Sequence, residues 1–390
     1  MRVAAVTTWP PHRDGVALYV SRLYSHIAKS EKVGIIANFS KSPSKEVNDG
    51  IAVFRCWKRN SPFYILQILK KALSSDAYVF HVQHGWLLYG NAFVSSLFPM
   101  LLLALKPSGI PIVTTMHTVA LRKAKMYGNS FLDMLGHVGT LVLTKAIAKL
   151  SIIVVHNNLM KQVLQTEYGI EGNRIVIIPH GVTDAPKEPL TESEKEAENL
   201  QILSLGFLRR GKGLEILVEA FENLRKNHEK MKLVVVGGAH SHDEKSYVNE
   251  LLKSATHYGR ERIFFENFVD EDRLNGVILE SDIIVLLSEE GRFVESSGAL
   301  ARVADFSKPV ICSRVPKFLS ELKDGANCLT TENTVESLTR TLELLVGDHE
   351  LRVKMASNLK RDFNARHWDD TAAKHVELYK GLRVMESSSR

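Results

Sequence analysis

Between Leu205 and Gly213 the chain reads Leu-Gly-Phe-Leu-Arg-Arg-Gly-Lys-Gly. Glycines let backbone amides come close to a ligand, and Arg209, Arg210 and Lys212 supply cationic donors suited to phosphate oxygens. The apolar run Ile202–Leu205 before it is strand-like, and the stretch LEILVEAFENL after it has helical periodicity. The loop therefore falls at a strand-to-helix junction, where free amides and the helix dipole favour a diphosphate. The GxxxxGK[ST] spacing and the hydroxyl after the lysine are absent, so this is not a Walker A loop. A solvated basic turn would use the same residues.

Three further segments carry candidate chemistry. Ser288–Gly298, reading SEEGRFVESSG, runs into a helical pattern, so Ser296, Ser297 and Gly298 fall at a helix start, where hydroxyls and amides can receive phosphate oxygens. Glu295 beside them would repel a phosphate and suits sugar hydroxyls instead. An ordinary N-cap with an acidic first turn gives the same pattern. In Pro11–Val16, Gly15 follows the first strand and opens a helix, as in a phosphate-binding turn or a plain connection; GxGxxG, the dinucleotide fingerprint, is missing. His117 ends the strand-like run before Thr118, where imidazole can hydrogen-bond a polar ligand, move a proton or serve only the structure. His81 and His84, in HVQHGW, are expected on the same rim.

The elements that must position these residues alternate along the whole chain. Val3–Thr7, Val33–Ala37, Ile51–Cys56, Tyr78–His81, Ile112–Thr115, Ile152–Val155 and Ile175–Ile178 are mostly solid apolar runs separated by amphipathic stretches. That is the pattern of a parallel sheet covered on both faces. It breaks at 185–199 (APKEPLTESEKEAEN), a polar, proline-containing linker, and restarts with Ile202–Leu205, Leu233–Gly237, Ile263–Phe265, Ile283–Leu287, Val310–Cys312 and Cys328–Thr330. The expected fold class is α/β, with two Rossmann-like doubly wound domains over 1–184 and 200–365 and a C-terminal helix over 366–390 packing back on the first. Ligands bind beyond the carboxyl ends of such strands. Two such domains would face each other across a cleft.

Composition narrows the class. Of 390 residues, 45% are hydrophobic and 24% charged, which suits two globular cores. A net charge of +6 suits an anionic small partner or an acidic membrane surface, and no nucleic-acid signature accompanies it. The cysteines, Cys56, Cys312 and Cys328, are distant in sequence and odd in number, so a reducing cytosol is the expected home, without disulfide or metal cluster. The N-terminal stretch lacks the pattern of a signal peptide. Phe93–Leu105, interrupted by Pro99, is too short to span a bilayer and is expected as a buried helix, with an interfacial helix as the alternative.

In this order the segments resemble the GT-B glycosyltransferases of family 4, the retaining group that includes many mannosyl- and glucosyltransferases. The resemblance covers nearly the whole chain: the PxxxG turn at Pro11–Gly15, TTMHT, IIPHGV at Ile177–Val182, GFLRRGKGLEILVEAF, LVVVGG at Leu233–Gly238, SDIIVLLS before the 288–298 segment, SKPVICS, ELKDGANCL and a C-terminal helix with Trp368. It implies that Lys212 and one of Arg209 or Arg210 bind the donor diphosphate, with Gly15 over it. It further implies that His117 contacts the donor sugar, that Glu295 holds sugar hydroxyls, and that Asn267, Phe268 and Val269 lie near the base. The donor would be a nucleotide-diphosphate sugar such as GDP-mannose or UDP-glucose, no metal or other cofactor would be needed, and the acceptor would be a glycan, a lipid-linked or a small-molecule hydroxyl. The family's second glutamate, eight positions after the first, is Val303 here, beside Arg302, and the arginine usual after the first glycine of the basic loop is Phe207. An SSG segment occurs in part of the family. Ribose recognition must therefore differ. A nucleotide-sugar-binding subunit without turnover and a sugar-nucleotide epimerase are the alternatives. Arg122, Lys123 and Lys125 would face either solvent or an anionic lipid head group.

Overall fold

The computed structural model describes residues 2–122, 130–186, 199–239, 242–257 and 262–387. Lys123 and Lys125, and most of the expected linker, lie outside the described residues. The strands are β1 (Val3–Thr7), β2 (Val33–Phe39), β3 (Ser44–Asn48), β4 (Ile51–Lys58), β5 (Val79–His84), β6 (Ile112–Met116), β7 (Thr118–Ala120), β8 (Ile152–Val155), β9 (Ile175–Ile177), β10 (Gln201–Leu205), β11 (Lys232–Val236), β12 (Ile263–Glu266), β13 (Ile283–Leu286), β14 (Phe293–Glu295), β15 (Val310–Ser313) and β16 (Leu329–Thr331). The helices are α1 (Gly15–Ile27), α2 (Tyr64–Leu73), α3 (Ala92–Ser96), α4 (Phe98–Leu105), α5 (Ser130–Leu150), α6 (Asn158–Thr166), α7 (Leu214–Arg225), α8 (His242–His257), α9 (Glu271–Glu280), α10 (Gly298–Val303), α11 (Pro316–Leu319), α12 (Val335–Gly347), α13 (His349–Phe363) and α14 (Trp368–Ser387).

Two compact units result. The first comprises Met1–Gly181, Gly291–Ser296 and Trp368–Arg390, and the second Val182–Glu290 and Ser297–His367. The strip Gly291–Ser296, which the sequence places in the second half, belongs to the first. The cause is backbone pairing: β14 runs antiparallel to β7, with Phe293 opposite Ala120, Val294 opposite Val119 and Glu295 opposite Thr118.

The first unit's sheet has the order β3-β4-β2-β1-β5-β6-β8-β9, parallel throughout except the edge strand β3. β3 joins β4 through Asp49 and Gly50, both at positive φ (48° and 79°), the backbone a two-residue hairpin turn requires. One face packs on α2, α4 and α5, with Phe80, Phe98, Leu102 and Ile147 in its core. The other packs on α1 and α14 through Tyr19, Leu23, Trp368 and Tyr379. Gly181 admits the C-terminal helix, because a Cβ there would lie 2.3 Å from the Trp368 ring. Phe93–Leu105 is not one buried helix: it breaks into α3 and α4, and Phe93, Met100 and Leu103 are exposed while Phe98, Leu101 and Leu105 are buried.

The second unit's sheet, β12-β11-β10-β13-β15-β16, is entirely parallel. Its chain order reverses between β10 and β13, so the loops following these two strands flank the switch point where such folds bind ligands. Cys312 and Cys328, distant in sequence, are brought onto the adjoining strands β15 and β16 region and stay free thiols.

Candidate functional site

In the second unit the basic loop connects β10 to α7. Its shape rests on close backbone approaches. The Gly206 amide donates to Val236 O at 3.0 Å and the Leu208 amide to Gly238 O at 3.2 Å. Gly237, at φ 152°, has no room for a side chain: a Cβ would stand 1.7 Å from Gly206 O. Gly213, at φ 58°, forms the N-cap of α7 and makes no side-chain cap, so the cationic loop runs directly into that helix N-terminus. The loop after β13 is tied to it, the Glu289 amide donating to Gly211 O at 2.8 Å.

Lys212 is half-buried and lines a shallow recess together with Ser204, Gly206, Phe207 and Ser297. Arg209 is exposed. Arg210 turns elsewhere: its guanidinium donates to Glu250 at 2.6 Å and lies 5.0 Å over the Tyr247 ring, both on α8. Of the two expected arginines, Arg210 is thus engaged with a neighbouring helix by an exposed ion pair. Ser297 caps α10, its hydroxyl accepting the Leu300 amide at 3.2 Å, and Gly298 opens that helix. Phe268 is exposed, packs over Gly238, and meets Phe207 edge-on at 6.2 Å between centroids. Val269 instead packs into the core of the unit. Val303 is fully buried, and Arg302 pairs with Glu271 (2.7 Å) and Asn275 (2.6 Å).

In the first unit, β14 sets Glu295 opposite Thr118, the residue after His117, so the pairing gathers two of the expected sugar contacts on one unit. Ser296 follows on the same strip. Gly15 is exposed and begins α1, whose N-cap is Asp14. The Asp14 carboxylate accepts the Ala17 amide and lies 3.1 Å from His12 Nε2. Burial alone would raise its pKa, but hydrogen bonds from His12, Ala17 and Thr8 outweigh this and hold it below the usual value. Asp14 thus already places an acid at the turn read as a phosphate contact.

His117 belongs to a polar cluster that sequence reading left unassembled. Its Nδ1 lies 3.3 Å from His156 Nε2, and its Nε2 lies 2.8 Å from Gln83 Oε1. His156 Nδ1 lies 3.1 Å from Ile178 O, which can only accept, so that nitrogen carries the proton. Gln83 Oε1 can likewise only accept, so neutral His117 carries its proton on Nε2 and donates to it, while the Gln83 NH₂ donates to the Tyr24 hydroxyl at 3.0 Å. The bare nitrogens of His117 and His156 then face each other at 3.3 Å. The Tyr19 ring stands 4.9 to 5.0 Å from His117, His156 and His180. Burial lowers every one of these histidines: His117 well below its ordinary value, His156 to about 3 and His180 to about 4, with neighbouring histidines adding to the effect on His117 and His156. His81, fully buried between Tyr24, Tyr379 and Thr115, is likewise neutral, and burial holds His84 at about 4. These two are therefore structural members of the cluster. A signal for it existed: His117, His156 and His180 each follow a strand of the same sheet within a few residues.

Comparison with known proteins agrees with this architecture. The family model described as glycosyl transferases group 1 matches residues 187–362, and that of glycosyltransferase family 4 matches residues 13–185. An uncharacterized glycosyltransferase of Methanocaldococcus jannaschii is 26% identical over 218 residues, and the chain spans about half the length of that curated relative, 53% of each. Among solved structures, sucrose-phosphate synthase from Thermosynechococcus elongatus superposes with a TM-score of 0.78 at 16% identity, covering 99% of this chain and 100% of that one. HepE from Anabaena, in complex with UDP and glucose, gives 0.71 at 15% identity, covering 97% and 99%. With two doubly wound sheets and both halves matched in order, the chain belongs to the GT-B glycosyltransferases of family 4, group 1.

Proposed function

We propose that the protein transfers a hexose from a nucleoside-diphosphate sugar to an acceptor hydroxyl, with retention at the anomeric carbon and without a metal ion. The observation that carries this reading is the cationic glycine loop at the switch point of the second unit, with Lys212 and Ser297 in one recess. In the reaction the bond from the anomeric carbon to the diphosphate breaks, and the acceptor oxygen bonds that carbon from the same face. The acceptor proton leaves on the departing phosphate. Lys212, Arg209 and the glycine amides of the loop stabilise the leaving group. Ser297 and Gly298 contribute a hydroxyl and an amide, and Gly15 approaches the diphosphate through its backbone. Glu295 holds sugar hydroxyls, His117 contacts the donor sugar near its reacting carbon, and Ser296 orients the strip that carries Glu295. Phe268 and Phe207 flank the base. HepE structures hold UDP and UDP-glucose, which supports a uridine donor as the first to test, with GDP-mannose next.

Removing one preorganised contact to developing negative charge costs about 2.7–4 kcal/mol. Lys212→Ala should therefore lower turnover of the preferred donor at least about a hundredfold while keeping the thermal midpoint. Unchanged turnover in that variant refutes the assignment. A donor panel read by thermal shift identifies the nucleotide, since a ligand at a hundred times its Kd adds about 2.7 kcal/mol. One observation favours a second reading, a donor-binding subunit without turnover: the position of the family's second glutamate is Val303, sealed in the core. Donor binding with no transfer to water or to any acceptor would support it.

A further inference from the structure

The outer face of the helical layer α2, α4 and α5 in the first unit is apolar where solvent-facing helices are ordinarily polar. α4 packs between α2 and α5, and all three cover one face of the sheet. Each helix buries one stripe and exposes a second apolar one. Phe63, the N-cap of α2, and Leu66 on α2 are 65% and 62% exposed, Met100 and Leu103 on α4 are 57% and 60%, and Val138 and Val142 on α5 are 54% and 63%. Phe93, on the short helix α3 that precedes α4, is 68% exposed. Single apolar residues are normal on a surface, but a continuous set on three adjacent helices is not.

Charge identifies the occupant. α2, α3 and α4 contain no acid, and the one acid of α5, Asp133, is buried. The exposed charges along the stripes are lysines, Lys70 on α2, Lys106 just after α4, and Lys145 and Lys149 on α5, and the nearest exposed acid, Asp76, lies three residues beyond α2. Their spacing continues each stripe, with Lys70 four residues beyond Leu66, Lys106 three beyond Leu103 and Lys145 three beyond Val142. The connections between parallel strands make the three helices run in one sense, so the apolar segments share one end of the layer and the lysines the other. Apolar side chains bordered by lysine, with no exposed acid on the three helices and no helix able to cross a bilayer among the described residues, match an interfacial lipid contact.

We propose that this face docks on an anionic lipid bilayer, with the exposed aliphatic and aromatic side chains entering the head-group region and the lysines meeting lipid phosphates. The surface is independent of the donor chemistry proposed above.

The test is flotation of the full chain with vesicles of phosphatidylcholine alone and of phosphatidylcholine with about one third phosphatidylglycerol. Binding is expected on the anionic vesicles and should weaken with salt. Leu66→Glu, Leu103→Glu and Val142→Glu together should abolish it, with the circular dichroism spectrum and thermal midpoint retained, because these side chains are exposed. Lys70→Gln with Lys145→Gln should weaken it by about fivefold per lysine, a second route that leaves the apolar face intact. Absence of binding to both vesicle types overturns the proposal, as does binding that the apolar triple variant leaves unchanged. Concentration-dependent dimerisation abolished by the same triple variant, without vesicle binding, assigns the face to a second copy and also overturns it.

Discussion

Lowering the pH from 8 to 5 should destabilise the first unit through its buried histidines. His84, His156 and His375 are 7%, 2% and 0% exposed, and burial, as the first cause, lowers them to about 4, 3 and 4. Below the unfolded value of about 6.5, the unfolded chain takes up protons that the folded chain refuses. Stability is therefore complete above about pH 6.5 and is lost as the pH falls toward about 4. At pH 5 each group contributes a loss of about 2 kcal/mol, or about 6 kcal/mol for the three, against the ~5–15 kcal/mol that holds a typical domain together. For a unit of this size that lowers the thermal midpoint by at least about 10 °C. The assay is the midpoint measured calorimetrically from pH 8 to 5, for the wild type and for His375→Leu. His375 Nε2 is buried with no partner among the described residues, and its other nitrogen bonds only Thr371 O. A leucine there should leave the midpoint at pH 8 nearly unchanged and recover about 2 kcal/mol at pH 5. A midpoint constant from pH 8 to 5, or a His375→Leu protein with the wild-type slope, would show that these rings are not the neutral buried groups described.

Three further outcomes follow from local geometry. Gly237→Ala forces a Cβ against Gly206 O in a backbone region costly for any side chain, so it should destabilise the second unit by at least about 3 kcal/mol and weaken donor binding, read by denaturant titration and calorimetry. Val303→Glu restores the family's residue type but buries an unpaired carboxylate, so it should cost several kcal/mol, on the order of 3 to 5, and rescue no activity; a stable, more active variant would place position 303 at the ligand after all. Gln83→Glu replaces the neutral acceptor 2.8 Å from His117 Nε2 by a carboxylate and should raise the His117 pKa, read as an upward shift of that ring's titration by histidine NMR.

The strands are legible because their apolar runs are continuous, and β1, β6 and β8 start where their hydrophobicity does. The β3–β4 hairpin was passed over although Asp49-Gly50 carries its own turn signal, since the flanking strand Ser44–Asn48 is polar and lies at an edge. β7 and β14 could not be read at all: each is three residues long, and their pairing joins segments remote in sequence. The basic loop was visible from composition, but the direction of Arg210 was set by Glu250, forty residues away on another helix. Phe93–Leu105 was read as buried because composition reports total hydrophobicity, whereas exposure depends on which turn faces the sheet. His117 was weighed as a lone histidine because each partner, Gln83 and His156, sits on a different strand or strand end, and only the sheet order aligns them.

The placement of charge constrains how the proposed transfer can run. In the second unit Lys212, glycine amides and a helix N-terminus surround one recess or its approach, and Arg209 is exposed on the same loop. In the first unit His117 is held neutral by burial, with Nε2 donating to Gln83 Oε1. A ring whose pKa lies far below its ordinary value carries no proton to give at neutral pH, and accepting one would place an imidazolium among further desolvated histidines. In the proposed reaction His117 therefore cannot serve as a general acid for the leaving group and is a poor base for the acceptor. The negative charge that develops as the diphosphate departs would then be met by Lys212, Arg209, Ser297 and the loop amides, and the acceptor proton has no better destination than the phosphate oxygen itself. Retention follows naturally from that route, because the group that takes the proton stands on the face from which it has just left.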